Sequence, residues 1–341
     1  MGNDERADYE VILVDYDEDL FAPPEWIGNE LATIGASWLV RQCRDSKDVM
    51  RLIRTADVVM VQSVRPLLTS EVISQMEQCR CMVRLGIGYD SVDVGAATAK
   101  GILVCNIPTY CIDDVAEHAL ALMFDAVRHV ARQDRWIRAG RWDRSGARPA
   151  RRIHGSTLGL VAFGRIARAV AARAKGLGVH ILAFDPYMDA AGMSQCGVEK
   201  VSLEDLLRRS DLISVHAPLT DSTRHLLSWR EFEIVKPGAV LVNTSRGPVV
   251  DNAALADALR CGRLRGAGLD VMEQEPLPAD SPLRALENVT FTPHVGASSE
   301  GSTADLYRTA CEIARDVLSG RWPASVVNPD VCPRVPLVRD A

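Results

Sequence analysis

Three short segments carry residue types able to handle an acidic small molecule and a proton. "LVNTSRG" ends an apolar run and sets Arg246 just beyond it. "GLDVMEQEP" puts Asp270 at the end of the next run and Glu275 in the loop that follows, and "TPHVGASS" puts His294 after a third. A guanidinium presents a fork of N–H donors that matches a carboxylate. An imidazole gives or takes a proton near neutral pH. A buried glutamate at 275 is expected beside that imidazole, orienting the ring and keeping its cation available. The set suits a 2-oxo acid, with Arg246 on the carboxylate and oxo group and His294 passing the proton. Singly, each has an ordinary alternative: a surface-paired or helix-closing arginine, a loop acid ahead of Pro276, a hydrogen-bonded core histidine. The three gain meaning together, at the carboxyl ends of apolar runs, where open parallel sheets bind ligands.

Those runs belong to a longer alternation. "VILVDYD", "DVVMVQS", "CMVRLGIGYD" and "ILVCNIP" read as buried strands, with a helical stretch around Asp48 to Thr55. Asp113 to Gly140 reads as one long amphipathic helix, capped by Asp113 or Asp114 and stopped by Gly140. After an Arg- and Gly-rich arm a second series follows: "LGLVAF", "HILAFD", "LISVHAP", "AVLVNTS", "GAGLDV" and "VTFTPH". Short apolar runs separated by helices predict parallel, doubly wound sheets, here in two domains of one α/β class. A last helix, about Gly301 to Ser319, is placed to carry the chain back to the first domain.

The second series opens on "TLGLVAFGRIARAV", a strand, tight turn and helix. Such a junction holds a dinucleotide pyrophosphate when it carries G-x-G-x-x-G or a variant ending in Ala. Here Gly164 keeps the middle place, Ala167 is the tolerated third residue, and Ala162 departs from the pattern. Ala162 is expected to fit with negative φ at the cost of crowding. Arg165 stands where a guanidinium meets a phosphate. Asp185, closing the next strand, stands where an acid bonds a ribose 2′-hydroxyl, which favours NAD over NADP. The alternative is a plain strand–helix corner with a capping aspartate.

Composition narrows the partners. The chain of 341 residues has 47% hydrophobic and 25% charged residues, as ordinary globular proteins do. A net charge of -6 argues against nucleic acid, and the basic run Arg138 to Arg152 reads as a solvated arm. "MGNDERADYE" has no apolar core of a signal peptide and no myristoylation pattern, and no run is long enough for a membrane span. Nine scattered cysteines without C-x-x-C read as reduced thiols. A cytoplasmic protein without metal is expected.

In order along the chain, "RLGIGYDSVDV", "VAEHALALM", "LGLVAFGRIARAVA", "HAPLT", "LVNTSRGPVVD", "AGLDVMEQEP" and "TPHVGASS" make the sequence resemble the D-isomer-specific 2-hydroxyacid dehydrogenases. The resemblance spans nearly the whole chain. It implies a Rossmann NAD domain, residues 109–299, inserted into a flavodoxin-like substrate domain, residues 1–108 and 300–341, with the active site in the cleft. It makes Arg246, Glu275 and His294 catalytic. It gives Gly164, Arg165 and Ile166 to the pyrophosphate, Asp185 to the adenosine ribose and Asp270 to the nicotinamide carboxamide. His216, Ala217, Pro218, Thr244, Ser245 and Gly296 line the rest of the groove, with Arg246 and His294. His216 is thereby a groove residue and not the acid/base, and His118 is structural. Ile87 and Gly88 offer backbone N–H groups to the substrate carboxylate, and Ser63, Val64 and Arg65 shape selectivity. Arg65, Arg84 and Arg138 are the cations available to a substrate phosphate.

Within the family "TPHVGASSE" most resembles 3-phosphoglycerate dehydrogenases. The chain ends at Ala341, so the regulatory domain of many such enzymes is not expected. A homodimer through the nucleotide domain is expected, with Arg138 to Arg152 in an exchanged arm. The rival is an NADH-sensing protein like the C-terminal binding corepressors, which can retain the same three residues but carry a tryptophan where Gly296-Ala297-Ser298 follows here. A third reading, an NADP-dependent glyoxylate or hydroxypyruvate reductase, is opposed by Asp185.

Overall fold

The computed structural model describes residues 8–43, 45–63, 65–144 and 150–339. The chain divides into two units, Met1–Tyr110 with Ser298–Ala341, and Cys111–Ala297.

The first unit holds five parallel strands: β1 (Tyr9–Leu13), β2 (Ala36–Val40), β3 (Val58–Val61), β4 (Cys81–Arg84) and β5 (Leu103–Asn106). Their order, β2-β1-β3-β4-β5, is that of flavodoxin-like sheets. Strands such as "VVMV" and "CMVR" are buried throughout, because helices cover both faces of a parallel sheet. The returning helix Glu300–Leu318 belongs to this unit. Its buried Tyr307 donates from the hydroxyl to the Phe21 carbonyl at 2.7 Å. Further on, Asn328 accepts the Val104 N–H at 2.8 Å and donates to the Ile102 carbonyl at 3.0 Å. The C-terminal segment thus serves the backbone of β5 and its approach.

The second unit holds seven parallel strands: β6 (Thr157–Val161), β7 (His180–Phe184), β8 (Glu199–Lys200), β9 (Leu212–Val215), β10 (Ala239–Asn243), β11 (Leu264–Leu269) and β12 (Val289–Phe291). Their order is β12-β11-β10-β9-β6-β7-β8, so the direction of winding reverses between β6 and β9. That is the Rossmann arrangement, and its switch point is where ligands bind. Alternate residues serve opposite cores. Leu158, Leu160, Val240 and Val242 meet Ala116, Ala119 and Met123 of helix Ile112–Arg128. Val161, Leu241 and Val215 pack with Leu255 and Leu259 of helix Asn252–Arg260.

The helix expected over Asp113 to Gly140 is two helices, Ile112–Arg128 and Val130–Arg138, broken at His129 with φ 57°. Asp125 makes the break: its carbonyl takes the His129 N–H, and its Oδ1 takes the Ala131 N–H at 2.7 Å, capping the second helix. Asp113 and Asp114 are not caps; they lie in the first turn, where acids oppose the helix dipole. Strands β2 and β8 are additions to the reading from sequence. All nine cysteines are free, and among the described residues no helix is long and apolar enough to cross a membrane.

Candidate active site

Strand β10 delivers Arg246 through a turn locked by a buried side chain. Asn243, 1% exposed, accepts the Ser245 N–H at 3.0 Å and the Ser245 hydroxyl at 2.9 Å, and donates to the Arg246 carbonyl at 3.0 Å. Arg246 is half-buried, and its Nη1 donates to the Ser245 carbonyl at 2.8 Å. Asn243 went unnoticed in the sequence, where it reads as the last residue of a strand.

His294 and Glu275 meet. The ring Nδ1 lies 2.8 Å from Glu275 Oε2, and Oε1 of the same carboxylate accepts the Met272 N–H at 3.0 Å. A carboxylate can only accept, so Nδ1 carries a proton and Nε2 is left to act on a ligand. The two side chains are 29% and 27% exposed, so Glu275 is not the buried acid expected. It sits in an open loop, fixed by hydrogen bonds and not by apolar cover. His294 has φ 57°, a left-handed conformation uncommon outside glycine. Such strain persists where the surroundings over-determine it.

Asp270 supplies that determination. Its carbonyl accepts the His294 N–H at 2.8 Å, and its carboxylate accepts the Val295 and Gly296 N–H groups, each at 2.9 Å. The Thr292 hydroxyl donates to the same carboxylate at 2.6 Å. His118 Nε2 stands 2.9 Å from the Thr292 oxygen and 3.3 Å from Asp270 Oδ1. Asp270 is 2% exposed. Burial alone would raise its pKa, but the bonds from His118, Thr292, Val295 and Gly296 outweigh it and hold the carboxyl below its ordinary range. His118, read from sequence as structural, is therefore part of the cage around this carboxylate. Its partner Thr292 is 174 positions away, so no local signal could have shown it.

The turn after β6 corrects one expectation. Ala162 has φ 69°, not a negative value. Its N–H goes to the Phe184 carbonyl at 2.8 Å, and the Phe163 N–H goes to Asp185 Oδ2 at 2.9 Å, which together impose the turn a glycine would make without strain. A left-handed alanine costs roughly 1–2 kcal/mol. Ala162→Gly is therefore expected to raise the unfolding free energy by about 1 kcal/mol, after the extra chain entropy of glycine is discounted. Urea unfolding checks this; an unchanged or lower midpoint would contradict it.

The residues present fit a dinucleotide. A Cβ on Gly164 would point into open space, ahead of helix Arg165–Ala174. The first N–H groups of such a helix have no partner within it and favour an anion. Arg165 is exposed at its start and Ile166 half-buried. Asp185 accepts from Phe163, Tyr187 and Met188 N–H groups, and keeps acceptor capacity for a hydroxyl. At the end of β10 the Thr244 hydroxyl is buried without a hydrogen-bond partner among the described residues. Ala217 is buried and Pro218 exposed just past β9.

His216, beside them, lies 2.9 Å from the Ser214 hydroxyl, and burial pushes its pKa down to about 4. It is neutral at pH 7. The unfolded chain, with an ordinary pKa near 6.5, takes up a proton that the folded state resists. The stability this contributes is full above pH 6.5 and is lost as pH falls toward 4, up to about 3 kcal/mol. His216→Asn should show a shallower acid decline over that window, measured by unfolding at fixed pH values.

The substrate-side candidates belong to the first unit. Val64 lies outside the described residues. The Ile87 carbonyl accepts from the Asn106 side chain at 2.7 Å, and Gly88 follows it. Arg65 pairs with the buried Asp15 at 3.0 Å, and its N–H donates to the Ser63 hydroxyl at 3.0 Å. Arg84 is buried, with Nη1 donating to the Leu85 carbonyl at 2.8 Å. In the second unit Arg138 pairs with Asp134 at 2.8 Å.

A seven-stranded Rossmann unit with a histidine–glutamate pair on the rim that carries the nucleotide turn, in a chain that also holds a flavodoxin-like unit, defines a two-domain dinucleotide-binding protein of the dehydrogenase class. Residues 120–296 match the model of the D-isomer specific 2-hydroxyacid dehydrogenase NAD binding domain, and the chain belongs to that family. It is 42% identical over 286 residues to the D-3-phosphoglycerate dehydrogenase of Mycobacterium leprae, covering 84% of this chain and 54% of that protein. The chain thus spans about half the length of that relative. It is 38% identical over 289 residues to the glyoxylate reductase of Korarchaeum cryptofilum, covering 84% and 86% of the two chains. A crystal structure of D-lactate dehydrogenase from Aquifex aeolicus, complexed with NAD and lactic acid, superposes with a TM-score of 0.80 at 27% identity, over 91% of this chain and 96% of that one.

Proposed function

We propose that the chain interconverts a D-2-hydroxy acid and its 2-oxo acid, with NAD as the redox partner. The observation that carries this reading is the His294–Glu275 hydrogen bond, which leaves Nε2 to a ligand at the carboxyl ends of the strands. When bound, NAD supplies or receives the hydride at the substrate's C2. Arg246 holds the substrate carboxylate in its fork and polarises the oxo group. In reduction, His294 as imidazolium gives its Nε2 proton to the forming alkoxide; in oxidation, the neutral ring takes that proton. Glu275 keeps the ring oriented in both directions.

Gly164, Arg165 and Ile166 are assigned to the pyrophosphate. Asp185 takes the ribose, and its charge disfavours a 2′-phosphate. Thr244, Ser245, His216, Ala217, Pro218, Asp270 and Gly296 line the nicotinamide half. Ile87, Gly88, Val64 and Arg65 are the substrate-side residues. A phosphorylated acid is one candidate, as the mycobacterial relative's name suggests. We also assign a homodimer, supported by the exposed Phe124, Val130, Ile137 and Trp142 on and just after the helix pair Ile112–Arg128 and Val130–Arg138. A cytoplasmic setting is supported by nine free thiols.

The test is NADH oxidation across 3-phosphohydroxypyruvate, hydroxypyruvate, glyoxylate, pyruvate and bulkier 2-oxo acids, with NADPH in parallel. A clear preference for one acid with NADH is expected. NADH bound without turnover on any acid would point instead to a nucleotide-sensing protein, and a preference for NADPH would refute the role of Asp185.

A further inference from the structure

His225 lies far along the sequence from His294, yet it is tied to the loop that supports it. Its backbone is left-handed, with φ 51°, and its N–H donates to the Pro248 carbonyl at 2.8 Å. Its Nε2 lies 3.1 Å from Glu273 Oε2, and its Nδ1 lies 3.9 Å from Asp251 Oδ2. The other oxygen of Glu273 accepts the Asn252 N–H. Asn252 opens helix Asn252–Arg260, whose cap, Asp251, accepts the Ala253 and Ala254 N–H groups and the Ser228 hydroxyl. Both oxygens of Glu273 are thus gripped by elements outside its own loop.

The grip acts next to the proposed catalytic residues. Gly247 directly follows Arg246, and a Cβ there would fall 1.9 Å from the Met272 carbonyl carbon and 2.5 Å from the Glu273 nitrogen. The Arg246 turn and the 272–273 backbone are therefore in direct contact, which only glycine permits. From Met272 the connection runs on: its N–H holds Glu275 Oε1, and Glu275 Oε2 holds His294.

We propose that His225 and Glu273 are positioning residues, whose pairing seats the 271–276 loop on Gly247 and so fixes Glu275 and His294 relative to Arg246. The proposal rests on the roles assigned to those three residues above. It explains why a non-glycine residue occupies a left-handed position at 225: the side chain is needed there.

The experiment uses His225→Gly, which suits the backbone, together with Glu273→Ala, the double variant, and His225→Gln, whose amide is long enough to reach Glu273. Three quantities are read: kcat on the acid the parent prefers, the Kd for NADH, and amide hydrogen exchange over residues 271–277. His225→Gly is expected to keep the parent's thermal midpoint and NADH Kd. Its kcat should fall by roughly tenfold, less than the ~10²-fold of a full 1 Å misplacement, and exchange over 271–277 should quicken. The double variant should be no slower than Glu273→Ala alone, and His225→Gln should recover most of kcat. Parent-like kcat and exchange in His225→Gly would overturn the proposal, as would a double variant that loses the product of the two single losses. Should the parent turn over no 2-oxo acid, the proposed function fails separately. The exchange rates then decide the His225–Glu273 proposal alone, and unchanged protection in His225→Gly overturns it.

Discussion

His294→Asn is expected to lower kcat by about 10²- to 10⁴-fold while leaving the Kd for NADH close to that of the parent. Asparagine is the informative replacement, because after glycine it is among the residues that best accept the left-handed backbone at this position, and it keeps a polar side chain without a titrating ring. The loss then reports the missing proton carrier and not a distorted loop. Glu275→Gln keeps an acceptor for Nδ1–H but no charge, so it should cost less than His294→Asn. Steady-state turnover with saturating NADH measures both. A His294→Asn variant within a few-fold of the parent would remove His294 from the reaction.

Arg246→Lys is the second large effect. Lysine keeps the charge but loses the planar fork, so one N–H donor to the substrate carboxylate goes with it. Truncating one side of a hydrogen-bonded charge pair costs roughly 2–5 kcal/mol, so kcat/KM for the preferred acid should fall on the order of 10²-fold or more. Arg246→Ala should fall further. Both the KM and kcat components should move, since the fork serves binding as well as the oxo group. NADH binding, followed by fluorescence, should change far less than kcat/KM; an equal loss in both would mean that Arg246 acts on the nucleotide alone.

How much of this was legible in the sequence depended on how local its cause was. Runs such as "VVMV" and "AVLV" announce parallel strands because burial on both faces favours unbroken apolar sequence. The strand "ASWLV" carries that signal weakly, since it is an edge strand and only partly covered. The two-residue Glu199–Lys200 strand carries none. The helix break at His129 depends on where the Asp125 carboxylate turns, and helical periodicity does not register that. Arg246, Glu275 and His294 were found as residue types at strand ends. The residues that hold them, Asn243, His118 and His225, were not, because each is defined by partners that only the fold brings near. Ala162 shows the same limit: its type is visible, but its φ is set by hydrogen bonds to Phe184 and Asp185.

The returning C-terminal segment bears on how the chain matures during synthesis. The nucleotide unit, Cys111–Ala297, is continuous and can close as soon as it has left the ribosome. The first unit cannot. Its strand β5 waits for Asn328 to take the Val104 N–H, and Phe21 waits for the Tyr307 hydroxyl. At about 5–20 residues per second, translation of Cys111–Ala297 imposes a delay on the order of tens of seconds. Throughout it the apolar strands β1 to β5 are present without the helix that completes them. Strands made before the nucleotide unit are completed only after it, and they are where a chaperone would find its longer opportunity.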